Sequence, residues 1–511
     1  MLSDITADFE RLTEGFAPLA ECRPSSPEAY NAISASIMRH YYTAVRTIES
    51  EHGIGYPSNL GVLLFNKLHI EACQHYFQEY DRLNGFSFAE PAQTGVFSVA
   101  SARRLLGQAK RGLRRRLSSA SAGRTGNFAA RIGFAGTTTF PWEPLQHQLG
   151  AMGVSLSPVP AGRPRAIPLI DQQRTHLERW ASEAHEAIAA QLNAGGALQH
   201  FDPARVADVV AVFMRTPPAP APAIDLLITG SLGPLQTRTA ALSAASKGVP
   251  VLTVHHGAQY KTFDEPYYDL YEGNLPAAKM VYGSIERQRA IGTLARERNL
   301  DGRDILLFTR TDDLVRRLYT GEAIRALGSL QGKTLLYLGT EFESGRYGPY
   351  RDVHPLTYRA WQQALIDWLT RQAGLPPLVR LHPKRPSTIY DPHGYAPADG
   401  PLEDALEAAD ALVVDYPTTS LGIAAATTKP VLFFDLGLRR LYPAALDAVR
   451  SRCAYAPLDV LDPGAGLNAM EADLGRSFED AYSPLFTVSG VPDDEVTTLA
   501  KAVVDAVERL R

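Results

Sequence analysis

From Arg131 onward, short apolar runs of strand length alternate with helical stretches, and the alternation happens twice. In the first half RIGFAG, VSLSPVP, DLLITGS, VPVLTVHHG, KMVYGS and DILLFTR read as strands. Between them lie a helix from Glu143, the helical stretch THLERWASEAHEAIAAQL, the Pro-rich bridge TPPAPAPA and a helix through TRTAALSAASKG. In the second half TLLYLGT, PLVRLHP, ALVVDY and PVLFFD read as strands, with helices through LTYRAWQQALIDWLTRQAG, LEDALEAAD and SLGIAAATT, and an amphipathic closing helix, DDEVTTLAKAVVDAVERLR. Strands that alternate with helices imply parallel sheets covered on both faces. Two such sets predict an α/β chain with two Rossmann-like domains facing a cleft. Ligands are expected at the carboxyl ends of the strands.

What precedes Arg131 is different. YNAISASIMRHYYTAVRTIES and LGVLLFNKLHIEACQHYFQEYDRL carry apolar residues at three- and four-residue spacing, as helix faces do. Residues 102–124 then collect Arg103, Arg104, Lys110, Arg111, Arg114, Arg115, Arg116 and Arg124 without one acid. The plain reading is a solvated helix and a Ser/Gly-rich linker. The sharper one is a basic surface for anionic lipid, at about 1 kcal/mol per cation near the surface. The domain reading is therefore 1–124 helical extension, 125–325 acceptor-side Rossmann-like domain, and 326–511 nucleotide-donor domain.

Charge and cysteine content exclude some classes. The 51 Lys and Arg nearly balance the 55 Asp and Glu, which argues against a nucleic-acid binder. Three cysteines far apart (Cys22, Cys73, Cys453) make neither a disulfide framework nor a metal pattern. The acidic start lacks the basic and apolar regions of a signal peptide, and no apolar run reaches the roughly 20 residues of a membrane span. A cytoplasmic protein, peripheral on the inner membrane if the basic segment docks there, is the expectation.

Candidate chemistry gathers at strand ends. GSLQGKT imitates a phosphate loop but is one residue short between its glycines and precedes its strand. No Asp-x-Asp and no His/Cys cluster occurs, so neither a metal nor another cofactor is expected. In PLVRLHPK, alternation puts Arg380, His382 and Lys384 on one side and Leu381 on the other, with Pro383 leading the chain out of the sheet. Three cations there suit a phosphate or carboxylate; the plainer alternative is a surface ion-pair cluster. In VVDYPTTSLG, Thr418, Thr419 and Ser420 stand where a helix begins, a place that favours an anion. Simple capping would need only one hydroxyl. VLTVHHGAQ ends a strand with His255, His256 and Gly257, and His256 is the better candidate for the cleft. Glu341 and Glu343 open a Gly-rich loop that either covers a nucleotide or is merely solvated.

The order of these motifs, His-Gly, then Arg-x-His-Pro, then Asp-Tyr-x-Thr/Ser-Ser and Lys-Pro-Val, resembles a group of GT-B-fold bacterial transferases. The group comprises teichoic-acid glycerophosphotransferases, capsular polysialyltransferases and β-Kdo transferases of surface polysaccharides. The resemblance spans about residues 130–460. It implies a cytidine nucleotide donor held by His382 and Pro383, with Thr418, Thr419 and Ser420 on the phosphate and His256 and Gly257 as the His-Gly element; the reading of the strand ends adds Arg380, Lys384 and Glu341 to the donor site. The chain departs from the glycerophosphotransferase pattern, with His-His-Gly for Trp-His-Gly and Pro-Thr-Thr-Ser for Ser-Ser. The helix PLTYRAWQQALIDWL looks most like the Kdo-type enzymes, so the resemblance implies CMP-Kdo as donor and a glycan or lipid-linked glycan as acceptor. Asp225, Asp264 and Glu265 stand unranked as the first domain's base or nucleophile. The alternatives are CDP-glycerol-type polyol-phosphate transfer, a UDP-N-acetylglucosamine 2-epimerase, which shares the architecture, and a catalytically silent scaffold of a polysaccharide assembly complex.

Overall fold

The computed structural model describes residues 129–136, 142–159, 223–232, 235–245, 247–254, 276–283, 305–310, 313–339, 355–381, 393–437, 441–459, 462–479 and 494–510, with scattered positions between 171 and 190 and at 287. The helical extension and the basic segment 102–124 lie outside the described residues.

The first sheet is built from β1 (Ala130–Ala135), α1 (Trp142–Ala151), β2 (Val154–Pro158), β3 (Leu226–Thr229), α2 (Leu235–Ala245), β4 (Val251–Val254), β5 (Ala278–Tyr282) and β6 (Leu306–Arg310). Its six strands run in the order β2-β1-β3-β4-β5-β6, every pair parallel. The central strands are apolar on both faces, as covered parallel strands must be. Leu226, Ile228, Leu252, Val254 and Met280 pack with α1, while Leu227 and Val251 pack with α2.

The second sheet follows a short helix, α3 (Asp313–Leu318), and comprises β7 (Leu335–Leu338), α4 (Pro355–Ala373), β8 (Leu378–Arg380), β9 (Ala396–Pro397), α5 (Leu402–Ala408), β10 (Ala411–Val414), α6 (Thr419–Ala426), β11 (Val431–Asp435), α7 (Pro443–Arg452), β12 (Ala454–Pro457) and α8 (Pro463–Asp473). The order is β12-β11-β10-β7-β8-β9, again wholly parallel. Winding reverses between β7 and β10, which makes their carboxyl ends the switch point at which doubly wound sheets bind ligands. The expected pair of Rossmann-like parallel sheets is present.

The chain crosses between the two units twice. Val315 of α3 is buried with Leu336, Leu412 and Leu421 of the second sheet's core. The closing helix α9 (Glu495–Leu510) returns to the first: Leu499, Val503 and Val507 are buried with Leu145, Leu149 and Phe308. The stretch read as 326–511 thus sends its last helix to the other sheet. The two crossings are fastened together. Arg310, at the end of β6, pairs with Glu495, and the Glu495 backbone N–H donates to Asp313 Oδ1 at 3.0 Å. Among the described residues no helix is long and apolar enough to cross a membrane.

Candidate functional site

The switch point of the second sheet holds the described part of the candidate site. Leu338 of β7 is in register with Arg380 of β8 on one side and with Val414 of β10 on the other. At about 4.8 Å per strand spacing, Arg380 and Val414 stand about 10 Å apart across the mouth. Beyond Val414 the chain turns through Asp415, Tyr416 and Pro417 into α6. Its helix is a run of small and aliphatic residues, TSLGIAAA, buried from Leu421 to Ala426. Such a helix lies close under the sheet and fixes its own N-terminus.

That N-terminus carries the three hydroxyls. Thr418 is the N-cap residue, with extended backbone (φ −108°, ψ −167°), and its side chain makes no capping bond. An N-cap threonine ordinarily accepts from the second or third helical amide. Here Thr418 Oγ1 and Ser420 Oγ instead hydrogen-bond each other at 2.7 Å. Both side chains and Thr419 are half-buried. First-turn amides, hydroxyls and the positive end of a helix dipole are groups that attract an anion.

Arg380 is placed differently from the expectation of a free cation. Its Nη1 donates to the carbonyl oxygens of Ala398 at 3.3 Å and Gly400 at 2.8 Å, in the β9–α5 connection. It shares the face of Leu378, which packs with the α5 core, whereas Leu381 packs with α4 as alternation requires. One guanidinium nitrogen is thus engaged in holding the strand's neighbour. His256, Asp264, Glu265, Glu341, His382, Pro383 and Lys384 lie outside the described residues, as do His255 and Gly257. Asp225 is a correction. It precedes β3 at the amino edge of its sheet, where its Oδ2 accepts from the Arg131 backbone N–H at 2.7 Å. The four residues of β3, about 13 Å of strand, separate it from the carboxyl edge, so it is no candidate base.

Sequence reading missed the group beneath the turn. Asp415 is fully buried, and its Oδ2 accepts from Tyr337 Oη, from Tyr358 Oη at 2.9 Å and from Trp361 Nε1 at 3.1 Å. Gln362 Nε2 donates to Tyr337 Oη at 3.2 Å. Burial raises the Asp415 carboxyl from 3.8 to about 6, against the lowering effect of the three donors. Burial, followed by the Asp415 charge, pushes the Tyr337 phenol up. The signals available were the Asp of the Asp-Tyr-x-Thr/Ser-Ser element, to which sequence analysis gave no role, and a pair of polar-tipped aromatics, Tyr358 and Trp361, three apart on one helix.

Lys429 of the Lys-Pro-Val element has a structural task. Its Nζ donates to the carbonyl oxygens of Glu407, at 2.8 Å, and Ala409, closing the C-terminal end of α5.

No family model matches the chain, and no curated protein matches it. Among solved structures, it is similar to the UDP-N-acetylglucosamine 2-epimerase from Rickettsia bellii, at 10% identity over 74% of this chain and 96% of that one, TM-score 0.38. MurG of Acinetobacter baumannii is 11% identical over 74% of this chain and 99% of its own, TM-score 0.33. The glycosyltransferase SsfS6 of Streptomyces sp. SF2575, complexed with thymidine diphosphate, is 14% identical over 74% and 100%, TM-score 0.30.

Proposed function

We propose that this chain is a glycosyltransferase that takes a sugar from a cytidine nucleotide, CMP-Kdo by the resemblance of its motifs, and passes it to a bacterial surface glycan. The observation that carries the reading is the β10–α6 turn, whose Thr418 and Ser420 hydroxyls hydrogen-bond each other and leave the helix start without a side-chain cap. A departing nucleotide phosphate is stabilised there by oriented amides, hydroxyls and the helix dipole, all set in place before reaction. His382 and Lys384, which follow β8 in sequence, supply the cationic share, and no divalent ion is then required. His256, Asp264 and Glu265 of the first unit are assigned to the acceptor side, as base or nucleophile. The basic segment 102–124 is assigned to an anionic membrane surface that presents a lipid-linked acceptor.

The test is a thermal-shift and calorimetric panel of CMP, CDP, UDP and GDP, each with and without Mg²⁺. A ligand bound to the native state raises its stability by RT ln(1 + [L]/Kd). Stabilisation by CMP without metal is expected. CDP alone would transfer the reading to polyol-phosphate chemistry, and UDP alone, with epimerisation of UDP-N-acetylglucosamine, to an epimerase. Silence across the panel would overturn all three.

A further inference from the structure

Asp415 is the one carboxylate described at the switch point, and its arrangement is lopsided. Three donors from two elements converge on Oδ2: Tyr337 from β7, and Tyr358 and Trp361 from α4. Oδ1 is equally buried and accepts no hydrogen bond. The side chains that meet the carboxylate are all neutral donors. Tyr337 and Tyr358 also lie within hydrogen-bond distance of each other, Oη to Oη at 3.0 Å, and Gln362 donates to the Tyr337 oxygen from behind. The carboxyl is thus tied through one oxygen into a connected network of β7 and α4 side chains.

A buried carboxyl with one oxygen unmatched costs on the order of a few kcal/mol, so such a group calls for a reason. Its position supplies one. Asp415 is the first residue after β10, and Thr418 is three residues further on. The turn between them is short: Tyr416 is buried in the same core as Tyr358 and Trp361, the Thr418 N–H donates to the Tyr416 carbonyl oxygen at 2.8 Å, and the next bond, Leu421 N–H to the Thr418 carbonyl oxygen at 3.0 Å, already belongs to the helix. On the far side, Gly339 at the end of β7 lies so close to Gln362 that an added Cβ would stand 3.2 Å from its Nε2. The same cluster therefore touches the carboxyl ends of both strands that flank the switch point.

We propose that Asp415 is the positioning residue of the β10–α6 turn: anchored to β7 through Tyr337 and to α4 through Tyr358 and Trp361, it fixes where Thr418, Thr419 and Ser420 present their hydroxyls and amides to the phosphate. The proposal rests on the nucleotide-phosphate reading of that turn. Asp415 itself touches no ligand in this scheme; it acts through the backbone that follows it.

The experiment uses the full chain and two readouts, the affinity for CMP by calorimetry and amide exchange at residues 416 and 418–421. The variants are Tyr358→Phe, Asp415→Ala and Asp415→Asn, with Leu467→Ala, in α8 on the core of the same sheet, as a control for lost stability. Tyr358→Phe is expected to weaken CMP by about tenfold, the loss of one hydrogen bond to a charged group, Asp415→Ala, which removes three, by at least as much, and both to accelerate exchange in the turn. Asp415→Asn, which keeps an acceptor, should recover most of the affinity, and Leu467→Ala should bind CMP like the parent. Affinity and turn exchange unchanged in Tyr358→Phe and Asp415→Ala would overturn the proposal, as would equal weakening in the control. If Asp415→Ala does not fold, Tyr358→Phe, which removes only a hydroxyl, decides. If the parent binds no nucleotide, the phosphate reading falls. Turn exchange then decides alone: faster in Tyr358→Phe sustains the positioning role, and unchanged overturns it.

Discussion

Arg452 Nε donates to the Ala425 carbonyl oxygen at 3.0 Å, which sets a fully buried guanidinium at the C-terminal end of the helix whose N-terminus carries Thr418. Its Nη2 also donates to the carbonyl oxygens of Thr427, at 2.7 Å, and Lys429, at 2.9 Å. The last carbonyls of a helix have no partner within it, and a cation there also meets the negative end of the dipole. Arg452→Met is expected to leave buried carbonyls unpaired and to destabilise the second unit by about 2–4 kcal/mol. Urea unfolding followed by tryptophan fluorescence checks it, since Trp361 and Trp368 lie in that unit's core. A loss below about 0.5 kcal/mol, the range of ordinary surface changes, would contradict the capping role.

The Asp415 carboxyl makes a prediction about pH and stability. Its value in the fold is raised from 3.8 to about 6 by burial. The folded chain thus holds the proton more tightly than the unfolded one. The resulting stabilisation is complete below about pH 4 and is lost as pH rises through 6. The rise from 3.8 to about 6 corresponds to about 3 kcal/mol at about 1.4 kcal/mol per pKa unit. Asp415→Asn cannot titrate. The stability of the parent minus that of the variant is therefore expected to fall by up to about 3 kcal/mol between pH 4 and pH 7. A flat difference across that window would mean that the carboxyl titrates normally.

Glu495 closes the crossing between the two sheets. It pairs with Arg310, and their side chains are only 15% and 7% exposed. The Glu495 N–H is also held by Asp313. Removing one partner of a buried pair leaves an uncompensated charge and costs about 3–5 kcal/mol. Glu495→Ala is expected to show most of that loss and to speed amide exchange along α9. The double variant with Arg310→Met should regain a large part, because it removes the stranded charge as well. Additive losses in the double-mutant cycle would show that the two residues do not interact.

Strand and helix positions were largely legible because buried parallel strands are short apolar runs: LLIT, VLTV, LLYL and ALVV announce themselves. The strand AYAP did not. Two alanines and a proline carry no strand signal, and β12 exists because it pairs with β11, Phe433 against Tyr455. The two-residue β9 likewise follows from pairing with β8. Positions of candidate site residues were legible only where local chemistry sufficed. Three hydroxyls before a small-residue helix mark Thr418, Thr419 and Ser420 without any fold. Asp225 misled because an acid beside a strand gives no hint of which end of the sheet it occupies. Arg380 was read correctly as lying at a strand end. Its carbonyl partners Ala398 and Gly400 come from a connection whose path no spacing rule gives. The Asp415 cluster draws on residues 54 to 78 positions away, and only the pairing of β7 with β10 brings them together.

The turn itself is the place to break the proposed activity without breaking the fold. Thr418 and Ser420 are half-buried, cap nothing and bond only each other among the described residues. Thr418→Val keeps the shape and removes one hydroxyl, and Ser420→Ala removes the other. Neither change exposes core or strands a backbone group, so each is expected to shift stability by less than about 1 kcal/mol. Each hydroxyl that donates to a phosphate contributes about 1.5–3 kcal/mol as a hydrogen bond to a charged group. Each single variant should therefore weaken CMP by at least about tenfold. The double variant should fall short of the product of the singles, because each hydroxyl orients the other and the two losses are not independent. Calorimetric titration of the three variants checks both statements. A parent-like affinity in the double variant would place the phosphate elsewhere on the carboxyl edge of the sheet.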